Sequence, residues 1–252
     1  MEPKKQGGPY QFTTNQNHQD FSSGRVLYGA TGSSNFPVRL ASEIFLRAVH
    51  ILKSQGNQGP YIIYDPFCGA GYSVTVLGFL HSSEIKTIFA SDVNEDMLGV
   101  AKKNLSLLTR KGLADRVEEL GGLEAMFHKT SHRYALESSE RLEGLLPQSE
   151  ISVQTFQHNV LTDLFTEFDL SQVDLVITDL PYGKLNQWEG LEFGQNPAQE
   201  FLSNLRKGLK PLALLALSAN KEQEIEYHGF TKAKAFKLGV RKILFLQPED
   251  QS

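Results

Sequence analysis

Asp179, Pro181 and Tyr182 close the run Asp174-Leu-Val-Ile-Thr-Asp-Leu-Pro-Tyr-Gly183. Leu175, Val176 and Ile177 read as a strand buried on both faces, and Pro181 must end it because it has no N–H for the ladder. The carboxylate, the proline and the aromatic ring therefore stand at a strand's carboxyl edge. In open α/β sheets ligands bind in the crevice beyond that edge. Asp-x-Pro-x-Gly is equally ordinary turn composition, so a second motif has to decide between ligand and turn.

The second motif is Tyr64-Asp-Pro-Phe-Cys-Gly-Ala-Gly-Tyr-Ser73. It follows the apolar run from Tyr61, which reads as a strand to Phe67. Gly69 and Gly71 allow positive φ and let backbone N–H groups approach a ligand closely. A nicotinamide-binding turn wants a third small residue where this chain has Val74, and Asp65 would repel a pyrophosphate. A ligand carrying a positive group fits better, and S-adenosylmethionine carries an ammonium and a sulfonium without phosphate. Asp92, 21 residues beyond Gly71, ends the next strand and can accept both hydrogens of a ribose diol. Asn159 can bond an adenine edge between Val93 and Val160, and serves equally as a turn residue. Pro66, Phe67 and Cys68 complete the turn.

The elements that position these residues alternate. Pro37 opens an amphipathic helix to about Lys53, with Leu40, Ile44, Phe45 and Leu52 on one face and Arg39, Glu43, Arg47 and His50 on another. Residues 87–91 form the second strand. Asn94 caps a helix with Glu95 and Asp96 in its first turn, Arg110 and Lys111 toward its end, and Gly112 as its stop. Residues 113–148 read as a helical insert of two short helices divided near Gly121-Gly122 and residues 128–131. Strands follow at 153–158, 174–180 and 212–218, with a helix started by Asn196-Pro197. Phe230 to Lys237 and Val240 to Gln247 lie only two residues apart, which allows a hairpin and forbids a parallel crossover. These signals predict one α/β domain over 37–252, a doubly wound Rossmann-like sheet with an antiparallel end. Residues 1–36, rich in Gly, Ser, Asn and Gln, read as an irregular arm outside the core.

The chain has 252 residues and a formal net charge of -4. Its single cysteine excludes an internal disulfide framework and a multi-cysteine zinc site, and no metal is expected. Residues 1–18 are polar and no window approaches 18 apolar residues, so a cytoplasmic protein without membrane contact is expected. Charge is uneven: residues 206–242 are locally basic, and residues 114–150 are acidic.

Asp-x-Phe-x-Gly-x-Gly after the first strand, an acid after the second, Asp-x-Pro-Tyr after the fourth and a closing hairpin together resemble class I S-adenosylmethionine-dependent methyltransferases. The resemblance covers roughly Pro37 to Pro248 and implies the strand order 3-2-1-4-5-7-6. Asp65-Pro-Phe-Cys-Gly-Ala-Gly71, Thr178-Asp-Leu-Pro-Tyr-Gly183 with Trp188-Glu-Gly190, and the insert are similar to the AviRa family of avilamycin-resistance ribosomal RNA methyltransferases. That similarity includes Arg25 to Phe45. It implies methylation of a guanine in 23S ribosomal RNA of the large subunit, with resistance to avilamycin-type orthosomycins as its consequence; a monomer is expected, although nothing in the sequence specifies the oligomeric state.

On that resemblance Asp179 and the Leu180 carbonyl would accept N–H bonds from the target base, and Tyr182 would stack on it. Leu180 departs from the proline usual in amino-methyltransferases, which leaves the target atom open. Trp188 serves core packing or a second aromatic wall; Cys68 lacks a nearby base for a nucleophilic role. Lys4, Lys5, Arg25 and Arg39 in or beside the arm are candidates for RNA contact. So are Lys232 and Lys234, whose alternation predicts both amines on one face, where they equally keep an edge strand soluble. Competing readings are methylation of a protein glutamine or a DNA base, and a noncatalytic nucleic-acid-binding module.

Overall fold

The computed structural model describes residues 9–30, 36–162, 165–181 and 196–249. Seven strands form one sheet in the order β3-β2-β1-β4-β5-β7-β6: β1 Tyr61–Asp65, β2 Ile85–Asp92, β3 Ser152–Gln157, β4 Leu175–Asp179, β5 Leu214–Asn220, β6 Phe230–Leu238 and β7 Arg241–Pro248. The first five strands run parallel, and β7 pairs antiparallel with both β5 and β6. The order is the one the family resemblance implies, and the antiparallel end is the one the two-residue gap predicts. Among the described residues no helix is long and apolar enough to cross a membrane.

Helices cover both faces, which is why β4 and β5 are apolar on both sides. On one face α1 (Val38–Ser54), α2 (Tyr72–Leu80) and α3 (Glu95–Ser106) pack on Ile63, Ile88, Ile177 and Phe245. On the other, α6 (Pro197–Arg206) places Phe201, Leu202 and Leu205 against Tyr64, Val176 and Leu215. The parallel strands thus end at one edge, where β7 begins, with the core already closed beneath them.

The arm departs from expectation. Phe21, Val26, Leu27 and Phe36 are buried in the core beside α1 to α3. The polar face of α1 is likewise covered: Glu43 is fully buried and accepts from the backbone N–H groups of Gln11, Phe12 and Thr13 at 2.7–3.0 Å. Arg47 bonds Glu43 at 2.8 Å and the Pro9 carbonyl at 2.6 Å. A Glu-Arg pair four residues apart looks solvent-facing in a sequence. Here it holds an irregular segment whose backbone groups need partners.

The helix after β2 also ends sooner than its charges imply. Asn94 caps α3, accepting from Met97 N at 3.1 Å, but α3 stops at Ser106 and Thr109 caps a new helix, α4 (Arg110–Phe127), through Gly112 N at 3.0 Å. Gly112 is therefore in the first turn of α4 rather than a stop. An ideal Cβ there would lie 2.1 Å from the Ser106 carbonyl oxygen. Gly112→Ala should destabilise the protein by about 1–3 kcal/mol, the range for overpacking, and thermal melting would register several degrees of loss. An unchanged melting point would show that the close approach relaxes freely. The Gly121-Gly122 pair lies within α4, which ends at His128 in the left-handed region, φ 49°; α5 (Thr130–Glu143) then completes the insert.

Candidate active site at the strand ends

Asp65 ends β1 with its carboxylate 4% exposed. One oxygen accepts from Thr178 Oγ1 at 2.6 Å and from Phe67 N at 3.2 Å, tying the glycine turn to the residue before Asp179. Burial raises its pKa to about 7, against those two bonds, and the charges of Asp92 and Asp179 push it the same way. Such a carboxylate is short of a cation.

The turn that follows is held from β2. Cys68 N donates to the Ser91 carbonyl at 3.0 Å, and Asp92 accepts from Gly69 N at 2.8 Å and Asn94 N at 3.0 Å. Gly71 has φ 70°, and a Cβ on it would sit 3.0 Å from the backbone of Ala101; Gly69, φ 52°, opens onto space. Both glycines are thus required, one for close helix packing and one for an open approach to the backbone. Asn104, fully buried in α3, donates to the Ala70 carbonyl at 2.9 Å and bonds both the N–H and the carbonyl of Tyr28. The arm is in this way fastened to the glycine turn, a link that neither segment announces in sequence. Burial keeps the Cys68 thiol well above its ordinary pKa, so it is no thiolate nucleophile.

Asp179 ends β4, with Ser218 of β5 as its register partner. Its Oδ2 lies 3.3 Å from Arg241 Nη2, at the start of β7. Its Oδ1 and the Ser218 hydroxyl are both buried; neither makes a well-formed hydrogen bond among the described residues, but the two lie close enough for the hydroxyl to favour the Asp179 carboxylate. Burial raises the Asp179 pKa, with the neighbouring Ser218 hydroxyl and the Arg241 guanidinium opposing. A cleft lined by Asp65, Val74, Thr178, Asp179, Ser218 and Phe36 joins the two carboxylates. Unsatisfied buried groups aimed at a cleft are those a ligand would complete. Arg241 sits over the Phe36 ring at 4.9 Å. In the sequence it reads only as one more basic residue of the hairpin.

The remaining expected residues follow the ends of β1 to β4. Asn159 Oδ1 accepts from Leu161 N at 3.0 Å, the turn geometry, and Val160 is 1% exposed within the core cluster of Phe156 and Phe201. Of the two proposed adenine walls only Val93 lies near the surface. Pro66 is buried, Pro181 half-buried, and Phe67 packs on Phe201 with centroids 5.1 Å apart. Tyr182 and Trp188 lie outside the described residues.

Among the RNA candidates, Arg39 donates to the Thr13 carbonyl at 3.1 Å and stacks over Tyr10 at 3.8 Å, so it serves arm docking. Lys232 and Lys234 do not share a face. Lys232 pairs with Leu246 and Lys234 with Phe245, so a bulge at Ala233 sends the two amines to opposite sides. Arg25 bonds Ser138 at 3.3 Å and lies over the Tyr134 ring at 5.9 Å, joining the arm to α5.

A 3-2-1-4-5-7-6 sheet with a glycine turn after β1 and acids at the ends of β1, β2 and β4 defines a class I methyltransferase. The family model described as rRNA methyltransferase AviRa matches residues 9–241, and the chain belongs to that family. The 23S rRNA (guanine(2535)-N(1))-methyltransferase of Streptomyces viridochromogenes is 34% identical over 238 residues, 92% of each chain. A solved structure of rRNA methyltransferase aviRa from the same organism is 32% identical with a TM-score of 0.79, covering 93% of this chain and 94% of that one. A putative RNA methyltransferase from Pyrococcus horikoshii, 15% identical with a TM-score of 0.50 over 84% of this chain and 85% of that one, shares the fold alone. The chain is thus an enzyme, and the noncatalytic module is set aside.

Proposed function

We propose that the chain transfers a methyl group from S-adenosylmethionine to N1 of a guanine in 23S ribosomal RNA. The observation that carries this reading is the Asp179–Arg241 pair at the end of β4, which lines the cleft shared with Asp65. Guanine presents an N1–H donor next to an O6 acceptor, and the pair presents a carboxylate next to a guanidinium. The relative's name specifies the same atom.

The residues fit the cofactor. Asp65 would meet its ammonium, the backbone of Gly69 and Gly71 would let it approach, Asp92 would accept from the ribose hydroxyls, and Asn159 and Val93 would border the adenine. When bound, S-adenosylmethionine supplies an electrophilic methyl. Asp179 accepts the N1 proton, its raised pKa suiting it to that task, and Arg241 donates to O6, where negative charge gathers as N1–H breaks. The bound cofactor would supply the methyl that replaces the N1 proton, and Asp179 would hold that proton. Pro181 and Tyr182 would set and stack the flipped base, in which a stack contributes about 1–3 kcal/mol. An rRNA substrate implies work in the cytoplasm, and lowered sensitivity to avilamycin is the expected cellular effect.

Labelled S-adenosylmethionine offered with 23S rRNA, DNA or protein should label the RNA alone. Reverse transcription should then stop at one guanine, because an N1 methyl blocks the pairing edge. Label in DNA or a protein glutamine, or labelled RNA without a stop, would overturn the reading.

A further inference from the structure

We propose that the turn joining α4 and α5 docks an unpaired segment of the substrate ribosomal RNA, an inference that rests on the rRNA reading above. The insert as a whole is acidic, yet residues 125–136 contain no Asp or Glu and carry His128, Lys129, His132 and Arg133. Glu118, Glu119 and Glu124 precede this stretch, and Glu137, Glu140 and Glu143 follow it. The sign of the charge therefore reverses at the tip alone.

The same tip carries exposed apolar and aromatic side chains. Met126 is 71% exposed, Phe127 52% and Tyr134 47%. Neither ring is loose. Lys129 Nζ lies 5.6 Å from the centre of Phe127, His132 meets that ring edge-on at 6.1 Å, and Arg25 reaches Tyr134 from the arm. His132 is fixed in turn by its Nδ1–H bond to the Leu123 carbonyl at 3.1 Å. Two rings, each with one side toward a cation and ample area in water, offer stacking platforms beside phosphate-binding charges.

That combination suits unpaired nucleotides, whose bases stack on aromatic rings while cations take the backbone. A protein partner would favour a broader apolar patch with fewer charges at its centre. Acidic flanks confine the contact, since phosphates are repelled a turn away along either helix. The placement also accounts for how a chain of net charge -4 reaches RNA without a basic face on the β6–β7 hairpin.

The test uses the full chain and protein-free 23S rRNA, with filter binding across a salt titration. The double variant Phe127→Ala, Tyr134→Ala should bind about tenfold more weakly with the salt slope unchanged. Lys129→Glu with Arg133→Glu should weaken binding and flatten the slope by about one to two. In both, KM for RNA should rise while kcat and S-adenosylmethionine affinity stay within twofold, a pattern that misfolding would not produce. Wild-type binding by both variants would overturn the proposal. So would variants that fail only on assembled large subunits, since the tip would then meet ribosomal protein. A wild-type chain that binds rRNA but transfers no methyl would instead sink the functional reading, with the binding comparison still deciding the tip.

Discussion

Asp179→Ala should lower the single-turnover rate of methyl transfer to 23S rRNA by about 10²–10⁴-fold, the usual worth of a positioned general base. At neutral pH a guanine N1 holds its proton, and an uncharged alanine neither accepts it nor orients the base. Cofactor affinity should stay within a few-fold, because Asp65, Asp92 and the glycine turn come from β1 and β2 and keep their own bonds. Asp179→Asn separates shape from basicity: it preserves volume, cannot accept the proton, and should be nearly as slow. In Asp179→Ala the guanidinium of Arg241, 3.3 Å from Asp179 in the wild type, would still face O6, so Arg241→Ala should cost less than loss of the base. Rapid-quench kinetics with calorimetry of cofactor binding makes the comparison. A near-normal rate in Asp179→Asn would remove the carboxylate from the chemistry and leave it a role in base recognition.

The ends of β1, β2 and β4 were legible because buried parallel strands are short apolar runs, and each of these three is punctuated by an acid. Asp65, Asp92 and Asp179 follow from that alone, and the two-residue gap at Gly239 sufficed for the antiparallel finish. What stayed hidden depends on contacts remote in sequence. Arg241 meets Asp179 only because β7 inserts between β5 and β6. Lys111 and Gly112 imitate a helix end, and only the Thr109 cap and the close approach to Ser106 show that they begin one. The arm has the polarity of a free segment, yet its sparse apolar residues are buried and its backbone is satisfied by Glu43, Arg47, Asn104 and Arg116. The bulge at Ala233 shows the limit of period-two reasoning, since one inserted residue reverses every face assignment beyond it.

Affinity for S-adenosylmethionine should rise with pH, by close to tenfold per unit below about pH 7, and level off above it. In the ligand-free chain burial raises the Asp65 pKa to about 7, so near neutral pH a proton competes with the cofactor's ammonium for this carboxylate. An ammonium beside this carboxylate favours the ionised form, so binding releases that proton, and calorimetry in buffers of different ionisation enthalpy would count it. The sign for stability is the opposite of the usual carboxylate. The folded pKa lies above the ordinary value of 3.8, so the folded chain holds a proton that the unfolded chain has lost. Asp65 therefore favours the fold most fully below about pH 4, and that contribution is lost as pH rises through 7. Asp65→Asn cannot ionise: it should bind the cofactor 10- to 100-fold more weakly at pH 8, lose the pH dependence of affinity, and melt with a flatter pH profile between 5 and 8. Equal affinity in mutant and wild type at pH 8, with the same pH profile, would mean that the ammonium lies elsewhere. The buried Asp65 carboxylate, with its raised pKa, would then need another ligand to explain it.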